Sequence, residues 1–177
     1  LVLAGSIPSR MPQSIYRDIM SRLQSKRIKI AVDATKDLLM NVLAYHPFVI
    51  KPNNHELSEI FDIMIDSKEK AVVYAKELQK KGAQNVIVSM AGEGAVFVGS
   101  DGSVFTSEAP HGVVKNSVGA GDSMVAGFVY GYLKSNDYKQ AFIYGVCTGS
   151  ASAFSDNLAT MHEVDSLVSG IEVVQVV

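Results

Sequence analysis

The sequence predicts an α/β fold built on a mostly parallel sheet. Short apolar runs alternate along the chain with longer segments of helical spacing, which is the order that parallel strands with helical crossovers require. Hydrophobic residues make up 47% of the 177 residues, which suits a globular chain with one buried core. Polar or glycine-rich turns follow the apolar runs, and this edge of a parallel sheet is where such folds bind ligands.

The individual elements follow from local patterns. Strands are predicted where short apolar runs occur, at residues 1–4, 28–32, 48–51, 86–90, 95–98 and 103–106. Helices are predicted where apolar residues recur three or four apart, at residues 12–26, 36–43, 54–61, 68–80, 119–134 and 138–154. Gly99-Ser100-Asp101-Gly102 lies between two strands and predicts a hairpin. No repeat or linker divides the chain, so residues 1–177 are interpreted as belonging to a single domain.

A glycine-rich turn opens the helix predicted at 119–134. Gly119, Ala120 and Gly121 have little or no side chain, so an anion can approach the unpaired backbone N–H groups of the first turn. Asp122 stands beside them, and a carboxylate next to an anion site is suited to take a proton from an attacking hydroxyl. The pattern predicts phosphoryl transfer to an alcohol, with Asp122 as the general base. The structural alternative is that Asp122 only complements the helix dipole.

Four segments of the chain resemble the ribokinase-like (PfkB) carbohydrate kinase family. They are Leu3-Ala4-Gly5-Ser6-Ile7-Pro8, Lys51-Pro52-Asn53-Asn54-His55-Glu56-Leu57, Val88-Ser89-Met90-Ala91-Gly92-Glu93-Gly94-Ala95 and Asn116-Ser117-Val118-Gly119-Ala120-Gly121-Asp122-Ser123. They occur in the family's order and span nearly the whole chain. The most similar branch is that of the 1-phosphofructokinases and tagatose-6-phosphate kinases. The resemblance implies a three-layer α/β/α fold, with an N-terminal part and a lid expected before Leu1.

The resemblance also implies a binding site for ATP and Mg²⁺. Asn53 and Glu56 match the family's pair that organises Mg²⁺ and phosphates through water. The nucleotide contacts that it implies are Lys51, Ser89, Gly92, Gly94, Gly121 and Asn157. Two structural alternatives stay open: Asn53 with Glu56 resembles a helix capping box, and Lys51 could be a solvated lysine at the end of a strand.

Three positions depart from the family's pattern. Ala91 and Ala159 stand where the family often has glycine, and Arg10 replaces a frequent glycine after Gly5-Ser6-Ile7-Pro8. The shape of the nucleotide loop at Ala91 is therefore a question for the structure.

Composition and missing motifs exclude several other classes. A net charge of −2 argues against a nucleic acid or an anionic membrane as partner, and no apolar run is long enough to span a bilayer. Cys147, the one cysteine, is expected to be a buried thiol in a cytoplasmic protein. The four histidines show no metal-ligand spacing. The chain has no Walker-type loop, and Met124 stands where a dinucleotide fingerprint has a small residue.

Together these observations predict the C-terminal, nucleotide-binding part of an ATP-dependent sugar-phosphate kinase. The resemblance favours conversion of fructose 1-phosphate to fructose 1,6-bisphosphate. The alternatives are a tagatose-6-phosphate kinase and, from another class, a non-catalytic nucleotide-binding fragment. We expect the full-length protein to form a homodimer, and the chain alone to be inactive because no lid closes over the sugar.

Overall fold

The structure is a computed structural model that describes residues 1–176. It has the α/β fold with parallel strands that the sequence predicts. Its strands are β1 (Val2–Ala4), β2 (Ala31–Asp33), β3 (Val49–Ile50), β4 (Asn85–Ser89), β5 (Ala95–Val98), β6 (Val104–Ser107) and β7 (Val173–Gln175). Its helices are α1 (Ile15–Leu23), α2 (Lys36–Met40), α3 (Asn54–Phe61), α4 (Lys68–Lys80), α5 (Ala120–Ser135), α6 (Tyr138–Phe154) and α7 (Met161–Val168).

The chain divides into two compact units. The first unit contains residues 1–88 and 98–102, and the second contains residues 89–97 and the chain from residue 103 onwards. The interpretation of residues 1–177 as part of a single domain stays a prediction.

The first unit is built on parallel strands. In β1 and β2, Leu3 pairs with Val32, and in β3 and β4, Ile50 pairs with Val86. Strands β2 and β3 are also parallel. The carboxyl ends of β1, β2 and β3 therefore lie along one edge, where the N–H of Gly5 donates to the carbonyl oxygen of Asp33 at 3.0 Å. This edge gathers the polar turns that the sequence analysis identified.

The core of the first unit is formed by its strands and by one side of its helices. Val32, Ile50 and Val88 on the strands are fully buried, as are Leu57 on α3 and Leu78 on α4. Each of these two helices begins at a side-chain cap, because Asn53 accepts from the N–H of Glu56 and Ser67 accepts from that of Lys70. The caps fix where the helices leave the polar edge and the preceding loop.

The second unit is built around a cluster of aromatic rings. The ring of Phe97 on β5 lies 5.4 Å from the ring of Phe128 on α5 and 6.0 Å from that of Phe142 on α6, centroid to centroid. Strands β5 and β6 are neighbours in the sheet, and the turn between them closes with a hydrogen bond from the Gly102 N–H to the Gly99 oxygen. The predicted hairpin is therefore confirmed.

Helices α5 and α6 pack against each other through glycine. A Cβ on Gly127 would overlap the carbonyl oxygen of Tyr144, and a Cβ on Gly149 would lie 3.0 Å from the Ala120 oxygen. Gly131 and Gly145 make similarly close approaches to the facing helix. The backbones can therefore come closer than side chains would allow, and this packing fixes the position of the first turn of α5.

The turn between α5 and α6 has a clear origin in the sequence. Asn136 ends α5 in the left-handed conformation, with φ of 53°, which asparagine tolerates better than most residues. Asp137 then caps α6 by accepting from the N–H of Gln140 at 2.7 Å. Two adjacent residues thus reverse the chain and start the next helix.

The structure differs from the sequence prediction in the bounds of several elements and in two elements that were not predicted. Helix α2 ends at Met40 instead of continuing to residue 43, and strand β2 is Ala31–Asp33 instead of 28–32. Helix α1 is shorter than the predicted 12–26, because residues 24 and 26 close single turns at its end instead of continuing it. Helix α7 and strand β7 were not predicted, since each is short and mostly polar or exposed. Strand β7 pairs antiparallel with β6, so that Thr106 faces Val174.

The expectation of a buried thiol at Cys147 is confirmed. Cys147 is fully buried and unpaired, and desolvation raises the pKa of its thiol to about 12. No described helix is long and apolar enough to cross a membrane.

The close packing of α5 on α6 makes a stability prediction. Gly127→Ala should lower the free energy of unfolding by about 2 kcal/mol, because overpacking against the Tyr144 carbonyl outweighs the better helix propensity of alanine. Denaturant unfolding measures this change. In the matched control, Gly170→Ala, the new Cβ has no atom nearer than 3.9 Å, so stability should change by less than about 0.5 kcal/mol. Equal effects of the two substitutions would contradict the packing argument.

Candidate active site

In the first unit, a buried ion pair occupies the carboxyl edge of the sheet. Asp33 is the last residue of β2, Lys51 follows β3, and the Lys51 Nζ lies 3.2 Å from the Asp33 Oδ2. The two side chains are only 7% and 17% exposed. The alternative that Lys51 is a solvated lysine is therefore wrong, and its contact with nucleotide phosphates stays a prediction.

The hydroxyl of Tyr16 lies near this ion pair. The Tyr16 hydroxyl on α1 lies 2.6 Å from the carbonyl oxygen of Ala4 and 3.1 Å from that of Gly5, so its proton is held at the same edge. Burial, with a smaller effect from the negative charge of Asp33, raises the pKa of Tyr16. No role for Asp33 is predicted from the sequence, although a carboxylate at the end of a predicted parallel strand is a signal for a site at this edge.

Asn53 and Glu56 form a capping box at the start of α3. The Asn53 Oδ1 accepts from the Glu56 N–H at 2.8 Å, and the Glu56 Oε2 accepts from the Asn53 N–H at 2.9 Å. The capping box, which was the structural alternative for Asn53 and Glu56, is thus present in the molecule. The pair keeps some free capacity, because the Glu56 Oε1 has no hydrogen-bond partner among residues 1–176.

The donor set at this edge bears on Mg²⁺. Within the described residues no three His, Cys, Asp or Glu side chains converge closely enough to hold a metal ion. Mg²⁺ takes few direct protein ligands and keeps several waters, so one half-buried carboxylate oxygen at Glu56 fits the water-mediated contact that the sequence predicts. The role of Asn53 and Glu56 in metal binding stays a prediction.

In the second unit, the turn before α5 presents open backbone donors. Gly119 has φ of 80°, which favours glycine, and ends a loop in which the Val118 N–H donates to the Asn116 side chain. The Ala120 N–H donates to the Ser117 oxygen at 3.2 Å. In the part of the chain that the structure describes, the N–H groups of Gly119, Gly121 and Asp122 donate to no acceptor. Three donors are therefore available to an anion, and Ala120 is not among them.

Asp122 lies in this first turn with its side chain exposed to solvent. Its carboxylate makes no hydrogen bond or ion pair with any residue from 1 to 176. A carboxylate that serves only the fold would gain at most the helix-dipole contribution here. Asp122 is therefore available to bind or to accept a proton.

Ser89 is the last residue of β4, and Gly92 and Gly94 lie in the loop that follows it. Gly94 has φ of 86°, and a Cβ there would overlap the carbonyl oxygen of Ser107, so this glycine is required by the fold. Gly92 faces open space, which leaves room for a ligand. Ala91 adopts a left-handed φ of 49°, a conformation that glycine adopts more readily than alanine.

A loop after α6 lies beside the open donors of α5. It carries Asn157, whose side chain is exposed, and Leu158, which is 67% exposed. The Leu158 Cδ2 lies 3.0 Å from the position that a Cβ on Gly119 would occupy. The structure therefore brings Asn157 into the same region of the second unit as Gly119 and Asp122, although more than 30 residues of sequence separate Asn157 from the other two.

The model of the pfkB family carbohydrate kinases matches residues 1–164. A 1-phosphofructokinase of Bacillus subtilis is 43% identical over 173 residues, which cover 98% of this chain and 57% of that protein. A D-tagatose-1-phosphate kinase of Bacillus licheniformis is 29% identical over 174 residues, 98% of this chain and 57% of that protein.

A solved structure gives the same result for the fold. A Staphylococcus aureus protein, provisionally named a phosphofructokinase, superposes with a TM-score of 0.93 at 37% identity, over 99% of this chain and 57% of that one. The chain thus spans somewhat more than half the length of the relatives that it matches. Because the family model matches more than nine-tenths of the residues, the resemblance read from the four motifs is confirmed, and the chain belongs to the pfkB family of carbohydrate kinases.

Proposed function

We propose that the protein to which this chain belongs transfers the γ-phosphoryl group of ATP to a hydroxyl of a ketohexose phosphate, with fructose 1-phosphate as substrate and fructose 1,6-bisphosphate as product. The observation that carries the proposal is the first turn of α5, where an exposed and unpartnered Asp122 adjoins open backbone N–H groups. Such a turn combines a proton acceptor with donors for an anion.

The residues of this turn divide the reaction between them. As the sugar oxygen bonds to the γ-phosphorus and the bond to the ADP oxygen breaks, Asp122 takes the hydroxyl proton. The N–H groups of Gly119, Gly121 and Asp122 hold the charge on the phosphoryl oxygens, since they have no acceptor within the fold. Gly92 leaves space for the nucleotide and Asn157 contacts its base.

Two residues of the first unit, Lys51 and Glu56, have proposed roles in binding the phosphates and Mg²⁺. Lys51, oriented by Asp33, donates to the phosphates, because its ammonium has three donors and the ion pair does not use all of them. Glu56 would hold Mg²⁺ through water with its Oε1, while its Oε2 maintains the helix cap. When bound, Mg²⁺ neutralises negative charge on the phosphates.

A second substrate is favoured by a specific observation. The Bacillus licheniformis relative is named for D-tagatose 1-phosphate, which differs from fructose 1-phosphate only in configuration at one carbon. Both are ketohexose 1-phosphates, whereas tagatose 6-phosphate, the alternative from the sequence, carries its phosphate at the other end. Initial rates of ADP release with the three sugar phosphates distinguish these cases, and ATP binding without turnover on any of them would favour a non-catalytic module.

The first functional prediction concerns Asp122. In the full-length protein, Asp122→Asn should lower kcat by about 10²–10⁴-fold, because a positioned base is lost. The affinity for ATP and the thermal midpoint should stay nearly unchanged, since the side chain has no partner in the described fold. Asp165→Asn, at another exposed helical aspartate, is the matched control and should keep full activity. Normal kcat in Asp122→Asn would leave Asp122 as a helix-start residue only.

The second prediction concerns Glu56. Glu56→Gln should raise the Mg²⁺ concentration needed for half-maximal rate, because the negative charge near the ion is lost. Glutamine also forms a capping box at this position, so thermal stability should be preserved. Rates measured across a Mg²⁺ titration test the effect. Unchanged Mg²⁺ dependence together with lower stability would assign Glu56 to the helix cap alone.

The third prediction concerns Asp33. Asp33→Asn leaves the Lys51 ammonium buried without its countercharge, so the free energy of unfolding should fall by about 3 kcal/mol. The KM for ATP should also rise, since Lys51 is no longer oriented. Asp37→Asn, at an exposed aspartate on α2, serves as the control and should change neither quantity. A destabilised Asp33→Asn protein with normal KM for ATP would show that the ion pair is structural only.

A further inference from the structure

The C-terminal turn of α6 contains a buried hydroxyl that joins two other segments of the second unit. The Ser152 Oγ donates to the Ser123 Oγ at 2.9 Å and accepts from the backbone N–H of Ala159 at 3.1 Å. Ser152 is 3% exposed and Ser123 is 7% exposed. One side chain thus connects α6, the first turns of α5 and the loop that follows α6.

Both connected segments carry residues of the proposed site. Ser123 directly follows Asp122, and Ala159 lies two residues after Asn157. Leu158, which lies between Asn157 and Ala159, places its Cδ2 3.0 Å from the position that a Cβ on Gly119 would occupy. The Ser152 hydroxyl therefore bonds to Ser123, the neighbour of Asp122, and to Ala159, two positions after Asn157.

The loop after α6 has few other restraints on its backbone. Among residues 156–159, the bond from the Ala159 N–H to Ser152 is the one hydrogen bond of the main chain within the described structure. The Asp156 side chain pairs with Lys115 at 3.1 Å, but that pair is exposed, so it holds the loop weakly. Loss of the Ser152 hydroxyl would release this loop.

The same turn of α6 also holds the segment that leads into α5. The carbonyl oxygen of Ala153 accepts from the N–H groups of Lys115 and Asn116, at 2.8 and 3.1 Å. A carbonyl in the last turn of a helix has no N–H partner inside the helix, so it is free to accept hydrogen bonds from this segment. These bonds do not involve Ser152, and they keep the turn before α5 in place when the hydroxyl is removed.

We propose that Ser152 is a positioning residue for ATP: its hydroxyl holds the loop that carries Asn157 against the anion-binding turn of α5, and so sets the affinity for the nucleotide. The inference rests on the proposed function. The two hydrogen bonds of Ser152 have different roles. The bond to Ala159 positions the loop, whereas the bond to Ser123 orients the Ser152 hydroxyl so that its lone pairs face Ala159.

The test uses the full-length protein and four variants. Ser152→Ala removes the bonds to Ser123 and to Ala159. Ser123→Ala removes only the acceptor of the Ser152 proton, and the double variant removes both hydroxyl groups. Ser135→Ala is the matched control, because its hydroxyl bonds to the Gly131 oxygen at the far end of α5. The measurements are hydrogen exchange of the Ala159 amide without ligand, the Kd for ATP, and KM and kcat.

Ser152→Ala should accelerate exchange at Ala159 and raise the Kd and KM for ATP by about five- to tenfold, with kcat changed by less than about twofold. Ser123→Ala should have a smaller effect, and the double variant should be no worse than Ser152→Ala, since the two residues act through one hydroxyl. Ser135→Ala should leave the KM for ATP unchanged.

The failures of the two proposals are distinguishable. If the unmodified protein neither binds ATP nor transfers phosphate, the proposed function fails and this inference fails with it. If the unmodified protein is active, two results overturn the inference alone. One is unchanged exchange at Ala159 in Ser152→Ala, and the other is faster exchange with an unchanged KM for ATP, which would make the hydroxyl purely structural.

Discussion

The close packing of α5 on α6 is the constraint on which the second unit depends. At Gly127 and Gly149 the backbones approach so closely that a methyl group would overlap or crowd the facing helix. The first turn of α5 is consequently held by a rigid partner, and Gly119 and Gly121 have no side chains of their own to cover its N–H groups. An anion site that is fixed before the ligand arrives needs little reorganisation, which is the condition for electrostatic stabilisation of phosphoryl transfer.

The first unit uses a different device to prepare a charged group. Lys51 and Asp33 lie at the carboxyl ends of adjacent parallel strands, and their ion pair is almost completely buried. Burying such a pair gives little net stability, because desolvation offsets the attraction. Its value is orientation, since the ammonium keeps one position and still has donors for a ligand. The capping box of Asn53 and Glu56 acts similarly, by fixing one carboxylate oxygen and leaving the other open.

The sequence predicted the parts of the structure that local patterns determine. The parallel strands, α3, α4 and the α5–α6 pair follow from hydrophobic spacing and from caps such as Asn53 and Asp137. Helix α7 and strand β7 were missed because each is short and largely exposed, so that it depends on tertiary contacts. The Lys51–Asp33 pair and the Ser152–Ser123 contact could not be predicted either, since each joins residues at least 18 positions apart. Glycine content indicated the proposed anion site, but which N–H groups of the turn lack an acceptor depended on the bond from the Ala120 N–H to Ser117.

The central claim is that the first turn of α5 binds the transferred phosphoryl group while Asp122 faces the sugar hydroxyl. A crystal structure of the full-length protein with ADP, Mg²⁺, fructose 1-phosphate and a planar fluoride mimic of the phosphoryl group tests it directly. The account predicts the mimic within about 3 Å of the N–H groups of Gly119, Gly121 and Asp122, with the Asp122 carboxylate at a similar distance from the attacking hydroxyl. A mimic bound away from this turn, or an Asp122 side chain directed away from the sugar, would contradict it.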